Sequence, residues 1–339
     1  MIQEAIATLI EGRNLARHEA AEALHDIMTG QATPAQIGAF LVALRMKGET
    51  VEEITGLAET MRSLATGVMA KRRPLVDTCG TGGDRLGTFN VSTTAAFVVA
   101  GAGIAVAKHG NRSASSVCGS ADVLEALGVR IDATPEMVAQ CIDEIGIGFL
   151  FARTLHTAMQ NVAGPRKELK VRTVFNLLGP LTNPAGACGQ VIGVPDAMLV
   201  ELLAQSLALL GTRRAFVVSG HDGLDELTLT GKSHVAEASH GHVKTYDIAP
   251  EQFGLERAPL SAVLGGDVTA NAAILRGVLE GKPGPCRDIV LLNAAAGILA
   301  GQDGEPDWKG AIELARQSVD TGAALAKLES LIAVSNRAA

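Results

Sequence analysis

Residues 77 to 120 read DTCGTGGDRLGTFNVSTTAAFVVAGAGIAVAKHGNRSASSVCGS, two glycine-rich polar loops on either side of one apolar stretch. Gly80, Gly82 and Gly83 admit backbone angles closed to other residues, so consecutive N–H groups can converge on anionic oxygens without side chains in the way. Asn90, Ser92, Thr93, Lys108, Asn111, Arg112 and Ser113 add neutral donors and cations, and Ser115, Ser116 and Ser120 extend the polar rim. The first loop is expected to follow a strand ending at Asp77 and to precede a helix whose first turn lies near Ser92-Thr93-Thr94. The second is expected to follow a strand over 104–107. A tight strand-to-helix turn could account for one such loop; two adjacent ones read as a phosphate cradle. The spacing is neither the GxGxxG dinucleotide fingerprint nor a Walker loop, which would close on GK[ST].

The organisation on either side agrees with an α/β framework. Residues 1 to 70 read as helices only, with an apolar stripe at Ile2, Ile6, Leu9 and Ile10. Thr33-Pro34-Ala35-Gln36 and Thr50-Val51-Glu52-Glu53 each place a capping threonine three residues before a Gln or Glu, the capping-box pattern. From Pro74 the pattern changes to short β-rich runs at 75–76, 104–107, 129–131, 149–151, 191–194 and 215–219, separated by helical or loop stretches. Residues 164–190 carry prolines and glycines and read as crossover or hinge material. From Ser261 the chain turns helical again, with 281–288 as its clearest loop and an Ala-rich segment, 308–331, expected to lie on the sheet. The expected division is a small helical domain, 1–70 completed by 164–190, and a large domain formed by 74–163 and 191–339.

Composition removes several function classes. The chain has 339 residues, 47% of them hydrophobic, enough for a large domain with a smaller one beside it. Five cysteines without CxxC spacing argue against a disulfide framework or structural zinc and fit a reducing compartment, the cytoplasm. The N-terminus mixes acidic residues into its apolar pattern, unlike a signal peptide, and the longest apolar run, 95–107, is too short to span a bilayer. A formal charge of −7 and only 3% aromatic residues offer nucleic acid neither a general attraction nor stacking platforms.

Other residues could carry chemistry. Adjacent Asp225 and Glu226 follow the strand-like AFVVSG and offer oxygen ligands suited to Mg²⁺, which keeps waters and bridges substrate phosphates. Such a pair alone is usually a solvated acidic turn; beside two phosphate loops the metal reading gains. Arg166 opens a basic run at the hinge and can grip a carboxylate through its fork of donors. His109 and His156, taken singly, read as structural imidazoles. His240 and His242 lack a third ligand and read as part of a solvent-facing strand. Cys79 has no paired base and is not read as a nucleophile.

With these elements placed, the chain resembles the anthranilate phosphoribosyltransferase family nearly end to end. The resemblance rests on DTCGTGGD (77–84), TFNVST (88–93), AKHGNRSASSVCGSADVLEALGV (107–129), VRTVFNLLGPLTNP (171–184) and GLDEL (223–227). It implies a nucleoside phosphorylase/phosphoribosyltransferase-like fold: a small N-terminal helical domain plus a large α/β domain with a mixed, mostly parallel central sheet. It also implies a homodimer that binds 5-phosphoribosyl 1-diphosphate with Mg²⁺ between the domains. Position by position, Gly80, Gly83, Asp84, Thr88, Asn90, Val91, Ser92, Thr93, Lys108 and Ser120 look like donor contacts. Ser92, Asp225 and Glu226 look like Mg²⁺ ligands, and Gly80, Asn111 and Arg166 like anthranilate contacts, with His109 nearby. Lys108, Asn111 and His109 are the catalytic candidates. Where the family often reads HPAM and VRKEL, this chain has His156-Thr157-Ala158-Met159 and Gly164-Pro165-Arg166-Lys167-Glu168-Leu169, with Arg166 kept.

The reaction so implied is attack of the anthranilate amine on ribose C1 with loss of pyrophosphate. Two rivals use related scaffolds. A pyrimidine nucleoside phosphorylase would be expected to carry its own phosphate motifs in place of GTGGD and KHGNR. A nucleic-acid-binding relative would be favoured by a basic groove, against which the acidic balance, Asn111, Arg166 and Asp225-Glu226 all count.

Overall fold

Four helices open the chain: α1 (Ile2–Ile10), α2 (Arg17–Met28), α3 (Pro34–Lys47) and α4 (Val51–Ser63). Both expected capping boxes form, with Thr33 accepting from the Gln36 N–H and Thr50 from the Glu53 N–H. Glu53 does more than cap. Buried, it accepts from the Leu15 N–H and from Lys47 Nζ, each at 2.9 Å, so one carboxylate ties the α1–α2 connection to the α3–α4 turn. This computed structural model describes residues 1–113 and 117–337, and among them no helix is long and apolar enough to cross a membrane.

Beyond the helices, β1 (Leu75–Thr78), β2 (Ala105–Gly110), β3 (Ile147–Phe151), β4 (Gly189–Gly193), β5 (Arg214–Gly220), β6 (Ser233–Ser239) and β7 (His242–Ile248) form one sheet in the order β3-β2-β1-β4-β5-β6-β7. The first five in that order run parallel, and β6 and β7 are antiparallel. A mixed, mostly parallel sheet was expected, and helices cover both its faces. Val191, Phe216, Val218 and Val235 belong to one core, while Ile192, Ala215, Val217 and Ala236 belong to the other, the alternation that a strand imposes. The first core is built from α5 (Val91–Gly101), α13 (Pro285–Gly301), α14 (Trp308–Asp320) and α15 (Ala323–Ser335). The second is shared by α1–α4 and α11 (Met198–Leu209), with α11 lying between α4 and the sheet.

Several expectations need correction. Residues 129–131 form no strand; they make the turn between α6 (Ser120–Ala126) and α7 (Pro135–Ile145), with Val129 and Ile131 buried as plugs. A three-residue stretch, Val-Arg-Ile, is too short to form a ladder when no strand lies beside it. Residues 164–190 are more ordered than hinge material, carrying most of α9 (Gln160–Leu169) and all of α10 (Phe175–Leu181), each with a proline inside. α9 packs on α2 and α3, and α10 on α4. The 281–288 stretch is a loop only as far as Gly284, because Pro285 takes the first turn of α13, where its missing N–H costs nothing. The 308–331 segment is two helices, lying mainly over α5 and α13, with α15 also reaching β3. The β6–β7 hairpin was not anticipated; His240 turns it at φ +50° and His242 faces solvent on β7. The remaining helices are α8 (Ala152–Leu155) and α12 (Val268–Leu279).

Candidate active site

The first glycine loop leaves β1 and is held to the end of its neighbour β4. The Cys79 N–H donates to the Val191 carbonyl at 3.1 Å, and the Thr81 N–H to the Gly193 carbonyl at 2.9 Å. Gly82 and Gly83 then take φ of +64° and +88°, which other residues adopt only at a cost. Space at Gly80 is tight: a Cβ there would stand 3.1 Å from both Asp225 Oδ2 and the Gly193 carbonyl.

The acidic pair comes from the loop after β5. Asp222 holds this turn by accepting from the Leu224 N–H and the Thr228 and Thr230 hydroxyls, while Asn293 of α13 exchanges two hydrogen bonds with the Leu227 backbone. Asp225 lies toward the Gly82 N–H and against Asp84. Glu226 Oε1 accepts from the Ser92 N–H at 3.0 Å, at the positive end of α5. Both carboxyls are half-buried yet recessed enough that desolvation is the main cause of their raised pKa values. Glu226 is pushed up to about 7, with Lys108 opposing the rise. Asp225 is raised well above the ordinary range by desolvation, then by the charges of Glu226 and Asp84. Three crowded carboxyls with oxygen donors only suit a hard divalent cation, whose charge would relieve the repulsion.

The second loop differs from the sequence expectation. Lys108 and His109 lie inside β2, paired with Phe149 and Leu150 of β3, and are buried. Lys108 is therefore no point charge on a loop; its Nζ donates to the Thr78 carbonyl, because extending the strand to Gly110 turns the side chain inward. Asp77, also buried, accepts from the His109 N–H at 3.0 Å and from Asn183 Nδ2 at 2.8 Å, and burial pushes it up to about 6 against the pull of Lys108. Arg112 is committed to Asp122 and Glu125, each at 2.8 Å, and Asp122 also accepts from the Ser113 and Gly119 N–H groups. Ser120 Oγ bonds the Asn111 backbone, and the exposed Asn111 accepts at Oδ1 from the Arg112 N–H at 2.8 Å. Ser115 and Ser116 lie outside the described residues.

Between the loops, Asn90 caps α5 with its carbonyl while its side chain spans the Cys118 carbonyl and Asn271 of α12. Thr88 pairs with Leu264, and Val91 and Thr93 are buried at the start of α5. Gly80, Asp84, Ser92, Lys108, Asp225 and Glu226 are thus gathered at one end of β1, β2 and β5. Thr88, Val91, Thr93 and Asn90 shape the α5 entry.

A second set of residues lies over α10. His109 and His156 stand with ring centroids 5.1 Å apart, and burial drives them down to about 3 and about 4. Both ring nitrogens of His109 and Nε2 of His156 lack a hydrogen-bond partner among the described residues; the Gly179 carbonyl approaches His109 without meeting hydrogen-bond geometry. The Arg166 guanidinium sits 5.2 Å over the Phe175 ring, and no described carboxylate forms an ion pair with it. Phe175 and Gly179 are four apart on α10, hence on one face, so His109 and Arg166 border the same helix surface. Pro165 within α9 leaves Arg166 on that surface. Cys79, its thiol pushed up to about 12 by burial and by Asp77, is inert.

Sequence reasoning missed two polar residues here. Asn183, inside the 171–184 block, bonds Asp77 and the Ala107 carbonyl. Arg172, noticed only within a basic run, donates from Nη1 to the Gly82 carbonyl at 2.9 Å. Their blocks were visible, but nothing local says which polar side chain turns inward.

Comparison with known proteins agrees with this arrangement. Residues 3–65 match the glycosyl transferase family helical bundle domain and residues 72–325 the glycosyl transferase family a/b domain. The anthranilate phosphoribosyltransferase of Moorella thermoacetica is 56% identical over 334 residues, covering 98% of both chains. The crystal structure of anthranilate phosphoribosyltransferase from Thermus thermophilus superposes with a TM-score of 0.93 at 47% identity, covering 98% of this chain and 99% of that one. The Saccharomyces cerevisiae enzyme in complex with PRPP and Mg superposes with a TM-score of 0.90 at 31% identity, over 98% and 97% of the two chains. Sequence, domain composition and fold agree, and the chain belongs to the anthranilate phosphoribosyltransferase family.

Proposed function

We propose that this chain transfers the 5-phosphoribosyl group of 5-phosphoribosyl 1-diphosphate to the amine of anthranilate, giving N-(5-phosphoribosyl)anthranilate and pyrophosphate in tryptophan biosynthesis. The observation that carries the reading is a division of charge. Crowded carboxyls with raised proton affinity lie against a glycine loop on one side; on the other, an arginine with no acidic partner among the described residues lies over an aromatic ring. The first suits a metal-bound diphosphate and the second a small aromatic acid. The two related scaffolds considered above, a nucleoside phosphorylase and a nucleic-acid-binding protein, are not favoured by the full-length relatives.

On the donor side, Asp225, Glu226 and Ser92 would hold Mg²⁺, with Asp84 beside them, and a bound Mg²⁺ neutralises charge on the diphosphate as it leaves. Gly80 and Gly83 let the loop backbone approach the diphosphate, and the α5 entry at Thr88, Asn90, Val91, Ser92 and Thr93 offers N–H groups to its anionic oxygens. Lys108, with Ser120 at the far rim, places a buried positive charge where negative charge develops. On the acceptor side, Arg166 grips the carboxylate, and Gly80, Asn111 and His109 border the ring and its amine. The His109 imidazole, neutral at pH 7, does not repel the incoming amine. The amine lone pair forms the C1–N bond as the C1–O bond breaks, the electron pair leaves with pyrophosphate, and the amine proton passes to solvent. A neutral aromatic amine needs no strong base.

The domain reading follows. We assign 1–70 with 164–190 to a helical unit and 74–163 with 191–339 to the donor-binding unit, and closure between them would exclude water that hydrolyses the donor. The chain is proposed to work as a cytoplasmic homodimer without nucleic-acid or membrane partners; light scattering on the purified protein tests the dimer. The decisive assay follows loss of anthranilate fluorescence with 5-phosphoribosyl 1-diphosphate and Mg²⁺. No loss under those conditions overturns the reading.

A further inference from the structure

Arg172 occupies a position that none of the expected site residues accounts for. It lies two residues beyond Lys170, whose φ of +52° ends α9, the helix that carries Arg166. From there its guanidinium reaches the first glycine loop, ninety residues away in sequence, and Nη1 donates to the Gly82 carbonyl. The space it fills exists because position 83 is glycine, since a Cβ on Gly83 would collide with the guanidinium. The charge of Asp225 acts on Arg172 favourably, while Arg45 and Arg85 repel it. No carboxylate among the described residues forms an ion pair with it.

The consequence lies in the peptide that Arg172 holds. Between two consecutive glycines at positive φ, a peptide unit can rotate at little steric cost. In a trans peptide the C=O and the following N–H point in opposite directions, so pinning the Gly82 carbonyl fixes the direction of the Gly83 N–H. The Gly82 N–H lies toward the Asp225 carboxyl, on the other side of the same residue. With the carbonyl drawn toward Arg172, the Gly83 N–H points away from the guanidinium. A flipped peptide would present a carbonyl oxygen in its place and repel an anion.

We propose that Arg172 is a positioning residue for the diphosphate. It locks the Gly82–Gly83 peptide so that the Gly83 N–H is presented as a donor, and it links the end of the helix bearing Arg166 to the donor loop. The inference rests on the phosphoribosyl transfer proposed above.

The test compares Arg172→Ala and Arg172→Lys with the wild-type protein. It measures kcat and both KM values, together with calorimetric titration of inorganic pyrophosphate in Mg²⁺. A hydrogen bond to a charged donor is worth about 10- to 100-fold in affinity, and Arg172→Ala is expected to raise the donor KM and the pyrophosphate Kd by that factor. The anthranilate KM is expected to stay within about twofold, and Arg172→Lys to recover part of the loss because an ammonium can still reach one carbonyl. Unchanged pyrophosphate affinity in Arg172→Ala overturns the proposal. So does an equal rise in both KM values, which would mark a purely structural tie. The pyrophosphate titration needs no turnover, so a wild-type protein that binds pyrophosphate yet consumes no anthranilate would count against the proposed reaction and leave this result readable.

Discussion

The two glycine-rich loops look alike in sequence and are built in opposite ways. In the first, the backbone carries the design: it is anchored to β4 through main-chain bonds, and two glycines at positive φ turn it. In the second, side chains carry the design and largely satisfy one another. Arg112 is committed to Asp122 and Glu125, and Asp122 also to the Ser113 and Gly119 N–H groups. A cationic residue in a polar loop is a ligand for substrate only if no nearer anion claims it. In the proposed reaction, the difference separates a loop whose backbone faces the diphosphate from side chains that keep the second loop in place.

The largest effect should come from the acidic pair beside the first loop. Asp225→Asn with Glu226→Gln is expected to lower kcat/KM by about 10³-fold or more and to abolish its dependence on Mg²⁺. Steady-state rates across a Mg²⁺ series measure this, and near-normal turnover would remove the pair from the site. Next comes the buried lysine of β2. Lys108→Ala should cost about 10²-fold in kcat/KM, because its charge opposes the proton affinity of Glu226 and, in the proposed reaction, faces the developing negative charge. If Lys108 serves only the fold, melting temperature will fall while the donor KM holds.

Arg166→Ala sharpens the comparison from outside. It should raise the anthranilate KM by about 10- to 100-fold and leave the donor KM nearly unchanged, since its guanidinium lies over Phe175 and away from both loops' anchoring bonds. An effect confined to the donor would contradict the division of the site.

A smaller signal is thermodynamic. Asp77, which joins β1 to β2, has its pKa raised in the fold to about 6, so its contribution is present below the ordinary carboxylate range and lost as pH rises through about 6. The shift is worth at most about 3 kcal/mol. Asp77→Asn loses one hydrogen bond at every pH but abolishes that slope, so its stability deficit relative to wild type should shrink between about pH 4 and pH 7, read by denaturant unfolding. A deficit that is constant across the range would mean Asp77 stays ionised. The smallest effect belongs to Arg112. Arg112→Ala should change the donor KM by no more than about twofold, because its partners are carboxylates at the surface. A large donor effect would show that the ion pairs open to admit the diphosphate.

Much of this was legible without coordinates. The capping boxes at Thr33 and Thr50, the helix starting beside Ser92, the strands at 75, 149, 191 and 215, and the acidic pair after AFVVSG all depend on residues close in sequence. The misses share one cause. The run at 129–131 has strand-like residues but no neighbouring strand, and β2 extends to Gly110 because β3 is there to pair with it. Prolines 165 and 180 suggested a hinge, yet α2, α3 and α4 supply surfaces on which two short helices pack.

Sequence alone determined which groups were available: glycines where the backbone must bend, carboxylates after β5, a basic segment ahead of Phe175. Tertiary structure decided which of them remain open to a ligand. Arg112 is neutralised by Asp122 and Glu125, and Asp77 is buried against Asn183, about a hundred positions away, whereas among the described residues Arg166 has an aromatic face and no carboxylate against it, and Arg172 fills the gap that Gly83 leaves. Charge is a property of the residue, but its availability depends on distance and desolvation, and these exist only once the chain has folded.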